Sequence, residues 1–158
     1  MLTLIQREFI VEVSLETAWR YLAQVERWPS WASHIKRVEL APVGGLTANS
    51  RGLFHLSNGI KSEFQMAEFN LSKNWRWTGP FLWLHLEYDH RFEAINQHRT
   101  RLTWIVRAKG FAVSLFGRFF AMIYNRNLDR AIPNLVAEMS ALESKAAKSE
   151  RPHPNQAI

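Results

Sequence analysis

The chain has 158 residues, of which 47% are hydrophobic and 22% charged. This is enough for one well-packed domain and excludes wholesale disorder. The absence of cysteine excludes disulfides, thiolate nucleophiles and cysteine-ligated zinc or iron–sulfur sites. Lys and Arg outnumber Asp and Glu by 20 to 14, but the basic residues are scattered, which is typical of a solvated surface. A nucleic-acid partner is therefore not expected, whereas peripheral contact with a membrane and the oligomeric state stay open.

The first quarter of the chain predicts one strand and two short helices. Residues 3–13 alternate weakly, and Ser14 is a good N-cap for a helix over residues 15–24. A second short helix is expected over residues 26–34. The start of the chain lacks the layout of a signal peptide, and no apolar run reaches the ~20 residues that span a bilayer. We therefore expect a soluble cytoplasmic protein.

A series of strands follows, with turn residues between them. We expect these strands over residues 35–41, 51–57, 60–69, 75–78, 81–95 and 100–109. Asn58-Gly59 and Gly79-Pro80 are both typical of two-residue turns. A run of neighbouring strands without intervening helices indicates an antiparallel sheet.

The last third of the chain changes to a helical period. From about residue 113 the apolar residues form one wide stripe, and Pro133 predicts a kink near residues 129–133. Residues 144–158 lose this period and contain two prolines, so we expect a disordered tail after a domain of residues 1–143. The element order predicts an α+β fold with helices on one face of an antiparallel sheet.

Strand pairing can be tested against the apolar pattern, because a one-residue slip turns every side chain to the other face. A turn at Gly79-Pro80 would pair Thr78 with Phe81 and leave Trp83 facing solvent beside Arg76. In the next hairpin, a loop with an odd number of residues would pair Phe92 with Trp104, His90 with Val106 and Tyr88 with Ala108. The same register would set acidic and basic residues opposite one another on the outer face.

The hairpin at Asn58-Gly59 gives a less consistent pattern. A two-residue turn there pairs His55 with Ser62, which points His55 inward and leaves Phe54 outward. These registers together give a mostly aromatic inner face with a few neutral polar groups. The candidate ligand-binding residues on it and on the last helix are His55, Phe64, Met66, Trp75, Trp77, Tyr88, His90, Phe92, Trp104, Phe116, Phe120 and Tyr124. These residues fit a ligand pocket or a filled core equally well.

Catalytic and metal-binding patterns are sparse. His90 and Tyr88 are the best candidates for a general acid or base, although a buried histidine that only packs fits His90 as well. No metal-ligand spacing, phosphate-binding glycine loop or nucleophile elbow is present. We therefore expect neither a metal nor a cofactor.

Residues 4–143 resemble the START-like (SRPBCC) superfamily, in its polyketide cyclase/dehydrase branch. The matching features are the segment Phe9–Leu40 with Ala18-Trp19 and Trp28-Pro29-Ser30-Trp31, then Ser50-Arg51-Gly52, His90-Arg91-Phe92, Thr100-Arg101-Leu102 and Gly110. The resemblance implies a helix-grip fold, in which a curved antiparallel sheet of about seven strands surrounds a long C-terminal helix, with two short helices at one end. It also implies a deep hydrophobic cavity.

Three functions are compatible with these features. The first is a carrier or sensor for a small hydrophobic, aromatic or lipid-like ligand that is uncharged or weakly anionic, oriented by His90, His55 or Tyr88. The alternative is a cyclase or dehydratase that uses His90 and Tyr88 for acid/base catalysis in the same cavity. The third is an interaction module that uses its excess arginine to contact an acidic partner such as a membrane surface or RNA.

Overall fold

The computed structural model describes residues 1–111 and 113–149, and seven strands in it form one antiparallel sheet. The strands are β1 (Leu2–Val11), β2 (Ile35–Ala41), β3 (Arg51–Leu56), β4 (Lys61–Asn70), β5 (Asn74–Phe81), β6 (Leu84–Asn96) and β7 (Arg99–Gly110). Their order across the sheet is β1-β7-β6-β5-β4-β3-β2. Each strand from β2 to β7 therefore lies beside its neighbour in sequence, and β1 closes the row next to β7.

Three helical segments complete the fold. α1 (Leu15–Leu22) begins at Ser14, whose Oγ accepts a hydrogen bond from the Thr17 amide at 3.2 Å, as expected for an N-cap. The second segment is a 3₁₀ helix, Val25–Ser30, which is shorter than the helix expected over residues 26–34. The long helix α2 follows β7, and the predicted α+β helix-grip fold is confirmed.

α2 (Val113–Ser149) is one continuous helix through Pro133, where a kink was expected. It also includes residues 144–149, the first part of the expected disordered tail, whereas residues 150–158 lie outside the described part of the chain. Its buried residues are unevenly distributed: Gly117 is the one before residue 128, and the others are Leu128, Ala131, Leu135 and Met139. The second half of α2 is therefore the part packed into the core.

The β5–β6 hairpin differs from the prediction. Its turn is at Leu82-Trp83 and not at Gly79-Pro80, and Phe81 pairs with Leu84. Gly79 lies inside β5, where a Cβ would come within 1.9 Å of the Glu63 carbonyl oxygen of β4. A glycine is required here because the neighbouring strand approaches closely. The sequence alone does not distinguish this requirement from that of a turn.

The β6–β7 pairing is displaced by two residues from the predicted register. Phe92 pairs with Leu102 and His90 with Trp104. The two-residue turn that pairs Asn96 with Arg99 shifts the register by one residue, and the irregularity between Ala94 and Asn96 shifts it by one more. An even displacement keeps each side chain on its face, so the predicted inner and outer sides of both strands are correct.

The β3–β4 hairpin is displaced by one residue, which reverses the faces of β3. The loop has three residues, because the Leu56 amide bonds the Ile60 carbonyl at 2.8 Å and Gly59 takes a positive φ of 88°. Phe54 consequently points inward and is buried. His55 points outward, where its Nε2 lies 2.8 Å from a Glu39 carboxylate oxygen. The prediction that His55 lines a pocket is therefore wrong.

Candidate ligand-binding site

One end of the inner sheet face is filled by aromatic side chains, and we call this region the packed half. Trp19 of α1 contacts Trp75 at 4.8 Å and Phe92 at 4.9 Å between ring centroids. Trp28 of the 3₁₀ segment covers Trp104, with ring centroids 6.5 Å apart. Four expected ligand-binding residues belong to the buried core and are absent from the cavity wall: Met66, Trp75, Phe92 and Trp104.

The other end of the same face encloses a cavity of about 780 Å³, and we call this region the open half. The cavity lies between strands β3 to β6 and the first half of α2. Its volume is within the ~300–1,000 Å³ typical of small-molecule sites. The expected residues that line it are Phe64, Trp77, Tyr88, His90, Phe116, Phe120 and Tyr124.

Further lining residues were not predicted as site residues. Trp28 belongs to the 3₁₀ segment. Those on strands and loops are His34, Ile35, Phe54, Leu56, Ser57, Asn58, Ile60, Ser62, Glu63, Phe81, Leu82, Trp83 and Leu84. Those on α2 are Leu115, Phe119, Ile123 and Asn127. Phe119 and Ile123 could have been predicted, because they belong to the apolar stripe with helical period in the sequence of α2. The register displacement in β3 concealed Phe54 and Leu56.

His90 lies at the boundary between the two halves. Its ring is 4.7 Å from that of Trp77 and 5.5 Å from that of Trp75. Burial lowers the pKa of His90 to about 3, because a low-dielectric surrounding disfavours the charged form. His90 is therefore neutral near pH 7. Its Nδ1 has no hydrogen-bond partner among the described residues.

Two tyrosines of the cavity wall pack edge to face against each other. The rings of Tyr88 on β6 and Tyr124 on α2 are 6.1 Å apart. Burial raises the pKa of both hydroxyls, and for Tyr88 the nearby Tyr124 raises it further. Both hydroxyls thus remain protonated and can donate a hydrogen bond to a ligand.

A third polar group lies against Tyr124. The His34 ring is 6.0 Å from the Tyr124 ring, and burial lowers the pKa of His34 to about 4. Among the lining residues the formally charged one is Glu63, which is exposed. The interior of the cavity therefore presents aromatic surface and neutral polar groups.

The expected exposure of Trp83 is correct, but its partner is not the one predicted. Trp83 is exposed at the β5–β6 turn and packs edge-on against Phe116, with ring centroids 4.8 Å apart. Arg76 lies five positions before Phe81 on β5 and pairs with Glu68 at 2.7 Å. The predicted cation–π contact between Arg76 and Trp83 is replaced by this ion pair.

Within residues 1–111 and 113–149, no group of three or more His, Asp or Glu side chains is arranged to hold a metal ion. In the same residues, no helix combines the length and the apolar character needed to cross a membrane.

Comparison with known proteins identifies a family. Residues 3–140 match the model of the family described as polyketide cyclase / dehydrase and lipid transport. No curated protein matches the sequence.

Solved structures share the fold at low sequence identity. The protein XoxI of Bacillus cereus is 14% identical and superposes with a TM-score of 0.71, covering 90% of this chain and 99% of its own. A hypothetical protein of Helicobacter pylori is 16% identical, with a TM-score of 0.69 and coverage of 85% and 86%. A START superfamily protein of Mycobacterium smegmatis is 15% identical, with a TM-score of 0.66 and coverage of 87% and 97%. At such identities the likeness concerns the fold.

Proposed function

Because the chain belongs to the polyketide cyclase/dehydrase and lipid transport family, we propose that it is a carrier or sensor for a small hydrophobic molecule. The ligand occupies the cavity of the open half and is aromatic or lipid-like. The observation that carries this proposal is the combination of about 780 Å³ of space with aromatic walls and a neutral interior. Burying the apolar surface of a ligand against such walls makes the free energy of binding more favourable.

The polar groups of the cavity define the ligand further. Tyr88 and Tyr124 offer protonated hydroxyls, and His90 offers a neutral ring with an unpartnered nitrogen. A ligand with one or two oxygen atoms in an otherwise apolar body matches these groups. A cationic ligand is disfavoured, because among the described lining residues the carboxylate is that of Glu63, which is exposed to solvent and does not offset desolvation in the interior.

The alternative is a cyclase or dehydratase with His90 and Tyr88 as acid/base groups. The unpartnered Nδ1 of His90 favours it, since this nitrogen is free to meet a substrate. The pKa values argue against it. A histidine with a pKa of about 3 is a weak base, and a tyrosine with a raised pKa is a weak acid, whereas acid/base catalysis is most efficient near the working pH. We therefore rank binding above catalysis.

A neutral fluorescent probe, N-phenyl-1-naphthylamine, tests the proposal by titration. Phe116→Glu places a charge in the cavity wall, and Leu142→Glu is the matched control, because both residues lie on α2 and are 37% and 38% exposed. We expect Phe116→Glu to weaken probe binding by more than tenfold and the control to leave it unchanged. Equal binding by the two variants, or no binding by the wild type, would contradict the proposal.

Turnover separates the two candidates. Native mass spectrometry of the purified protein identifies any ligand that is retained, and candidate aromatic polyketide-like compounds are then assayed for conversion. A carrier binds such compounds without converting them. Conversion that disappears in His90→Ala, in a variant that still binds the probe, would replace the carrier proposal with the enzyme.

A further inference from the structure

Exposed apolar side chains surround the entrance to the cavity. We call this surface the mouth patch, and it consists of Leu82, Trp83, Phe111, Leu115, Phe119 and Met122. Phe111 is 84% exposed and Leu115 is 68% exposed. A cluster of large apolar side chains in solvent is unusual for a protein surface and marks an interaction site.

The fold brings these residues together from three segments: the β5–β6 turn, Phe111 directly after β7, and α2. The Leu82-Trp83 turn contacts α2 through the edge-on pair of Trp83 and Phe116. Leu84 pairs with Gly110 at the end of β7, where a Cβ on Gly110 would lie 2.9 Å from the Trp83 carbonyl oxygen. This close approach places the end of β7, which is followed by Phe111, directly beside the turn.

On α2 itself the apolar residues form one stripe. At about 100° per residue, Leu115, Phe119 and Met122 fall within about 60° of one another, and Arg126 continues the same line. Phe116 and Phe120 lie on the adjacent face, which lines the cavity. The stripe therefore borders the cavity without filling it.

The charge on the β7–α2 side of the mouth patch is positive. Between Lys109 and Leu128 the chain contains Lys109, Arg118 and Arg126 and no acidic residue. Both arginines and the lysine are exposed. The next acidic residue, Asp129, is held in an ion pair with Arg7 of β1. Across the entrance, Lys61 and Glu63 of β4 offset each other in charge.

We propose that the mouth patch docks on the surface of an anionic lipid bilayer. An apolar stripe with bulky aromatic residues and flanking cations is the pattern of an interfacial amphipathic helix, whose cations meet acidic headgroups. A second copy of this chain fits less well, because a symmetric contact would bring Arg118 and Arg126 towards their counterparts with no acidic residue to receive them.

Docking in this orientation sets the cavity against the bilayer. Leu115 and Phe119 belong to the mouth patch and also line the cavity. Bilayer contact would therefore cover the entrance with acyl chains rather than water. The docking itself stands independently of ligand binding, whereas passage of a ligand between bilayer and cavity rests on the proposed function.

Vesicle flotation tests the proposal. The full chain is mixed with vesicles of phosphatidylcholine alone or with 30% phosphatidylglycerol, at about 50 and 500 mM salt. We expect flotation with the anionic vesicles at low salt and its loss at high salt, because salt screens exposed charges.

Variants locate the contact. Met122→Glu is expected to reduce binding at least tenfold, since it puts a charge where an apolar side chain enters the interface. Its control is Leu71→Glu at the β4–β5 turn, which is also strongly exposed. Leu71 lies at the end of β5 opposite the Leu82-Trp83 turn, and β5 is about 25 Å long. Arg118→Gln is expected to reduce binding about fivefold, and Lys145→Gln, about 40 Å further along α2, to leave it unchanged.

Three results would overturn the docking proposal. One is equal flotation with both vesicle types, and another is equal loss in Met122→Glu and Leu71→Glu. The third is concentration-dependent dimerisation in analytical ultracentrifugation that Met122→Glu abolishes, because a second copy would then cover the patch. Met122 does not line the cavity, so N-phenyl-1-naphthylamine binding by Met122→Glu reports on the proposed function separately.

Discussion

The packed half and the open half are built on the same strands and use the same kinds of side chain. In the packed half, Trp19 of α1 and Trp28 of the 3₁₀ segment pack onto Trp75 and Trp104, so that these two side chains are absent from the cavity wall. In the open half, the first turns of α2 pass over the sheet and leave about 780 Å³ between them. The aromatic content of a sheet face thus does not decide whether it forms a core or a cavity. The covering element decides it.

The largest expected difference between the halves is in stability. Trp75→Ala in the packed half should lower the free energy of unfolding by about 3–5 kcal/mol, because it removes a fully buried aromatic ring and leaves a void. Ile123→Ala in the open half should cost below about 1 kcal/mol, since this side chain is nearly half exposed beside an existing cavity. Urea denaturation measures both. Similar losses for the two variants would show that the open half is packed in solution.

A smaller effect is expected at Gly79, which lies between the cavity-lining residues Trp77 and Phe81 of β5. Gly79→Ala should destabilise the protein by about 1–3 kcal/mol, because its Cβ would collide with the Glu63 carbonyl of the neighbouring strand. Gly59→Ala, in open space at the β3–β4 turn, should cost about 1 kcal/mol from its positive φ alone. Thermal and urea melts of the two variants rank them, and a harmless Gly79→Ala would contradict the strand register.

Acidification should weaken the fold through the histidines of the cavity wall. The folded pKa values of His90 and His34 are about 3 and about 4, below the ordinary value of 6.5. Above pH 6.5 both histidines are neutral in either state and have no effect. As the pH falls below 6.5 the unfolded chain binds protons first, so stability drops by about 1.4 kcal/mol per pH unit for each histidine.

The His90→Phe variant isolates one of these contributions. Its free energy of unfolding, measured from pH 7 to pH 4.5, should fall less steeply than that of the wild type by about 1.4 kcal/mol per pH unit. Parallel curves for the two proteins would mean that His90 titrates normally and is in contact with water.

The smallest stability effect is expected from filling the open half. Leu56→Trp extends a side chain into the cavity, where space is available, so the free energy of unfolding should change by less than about 1 kcal/mol. Affinity for the neutral probe should nevertheless fall severalfold, because the new ring takes up ligand volume. Unchanged affinity would place the probe outside the cavity.

The sequence predicted the faces of the sheet better than its pairings. The β6–β7 register was displaced by two residues, which kept His90 and Trp104 on the inner side. The β3–β4 register was displaced by one, which exchanged Phe54 and His55. In β3–β4 the cause is loop length, because Gly59 at its positive φ suits both two-residue and three-residue hairpins. In β6–β7 the turn and the irregularity beside it each shift the pairing by one residue. Local chemistry alone therefore could not choose the register.

The division into two halves was beyond the reach of strand patterns. Trp75 and Trp77 are two positions apart on β5 and share its inner face, yet Trp75 packs under Trp19 whereas Trp77 lines the cavity. That outcome depends on where α1 and the 3₁₀ segment pack across the sheet, which is a long-range contact. The helical period of α2 was a stronger guide, because Phe116, Phe120 and Tyr124 line the cavity as expected.

The uneven burial of α2 has a consequence for its motions. The second half is fixed by Leu128, Leu135 and Met139, whereas Gly117 is the buried residue of the first half. Segments with few buried contacts open with a lower free energy than the core does. Amide hydrogens of residues 114–126 should therefore exchange with solvent well before those of residues 128–139. The C-terminal half of α2 would thus stay anchored to the core while the N-terminal half, which covers the cavity, opens locally.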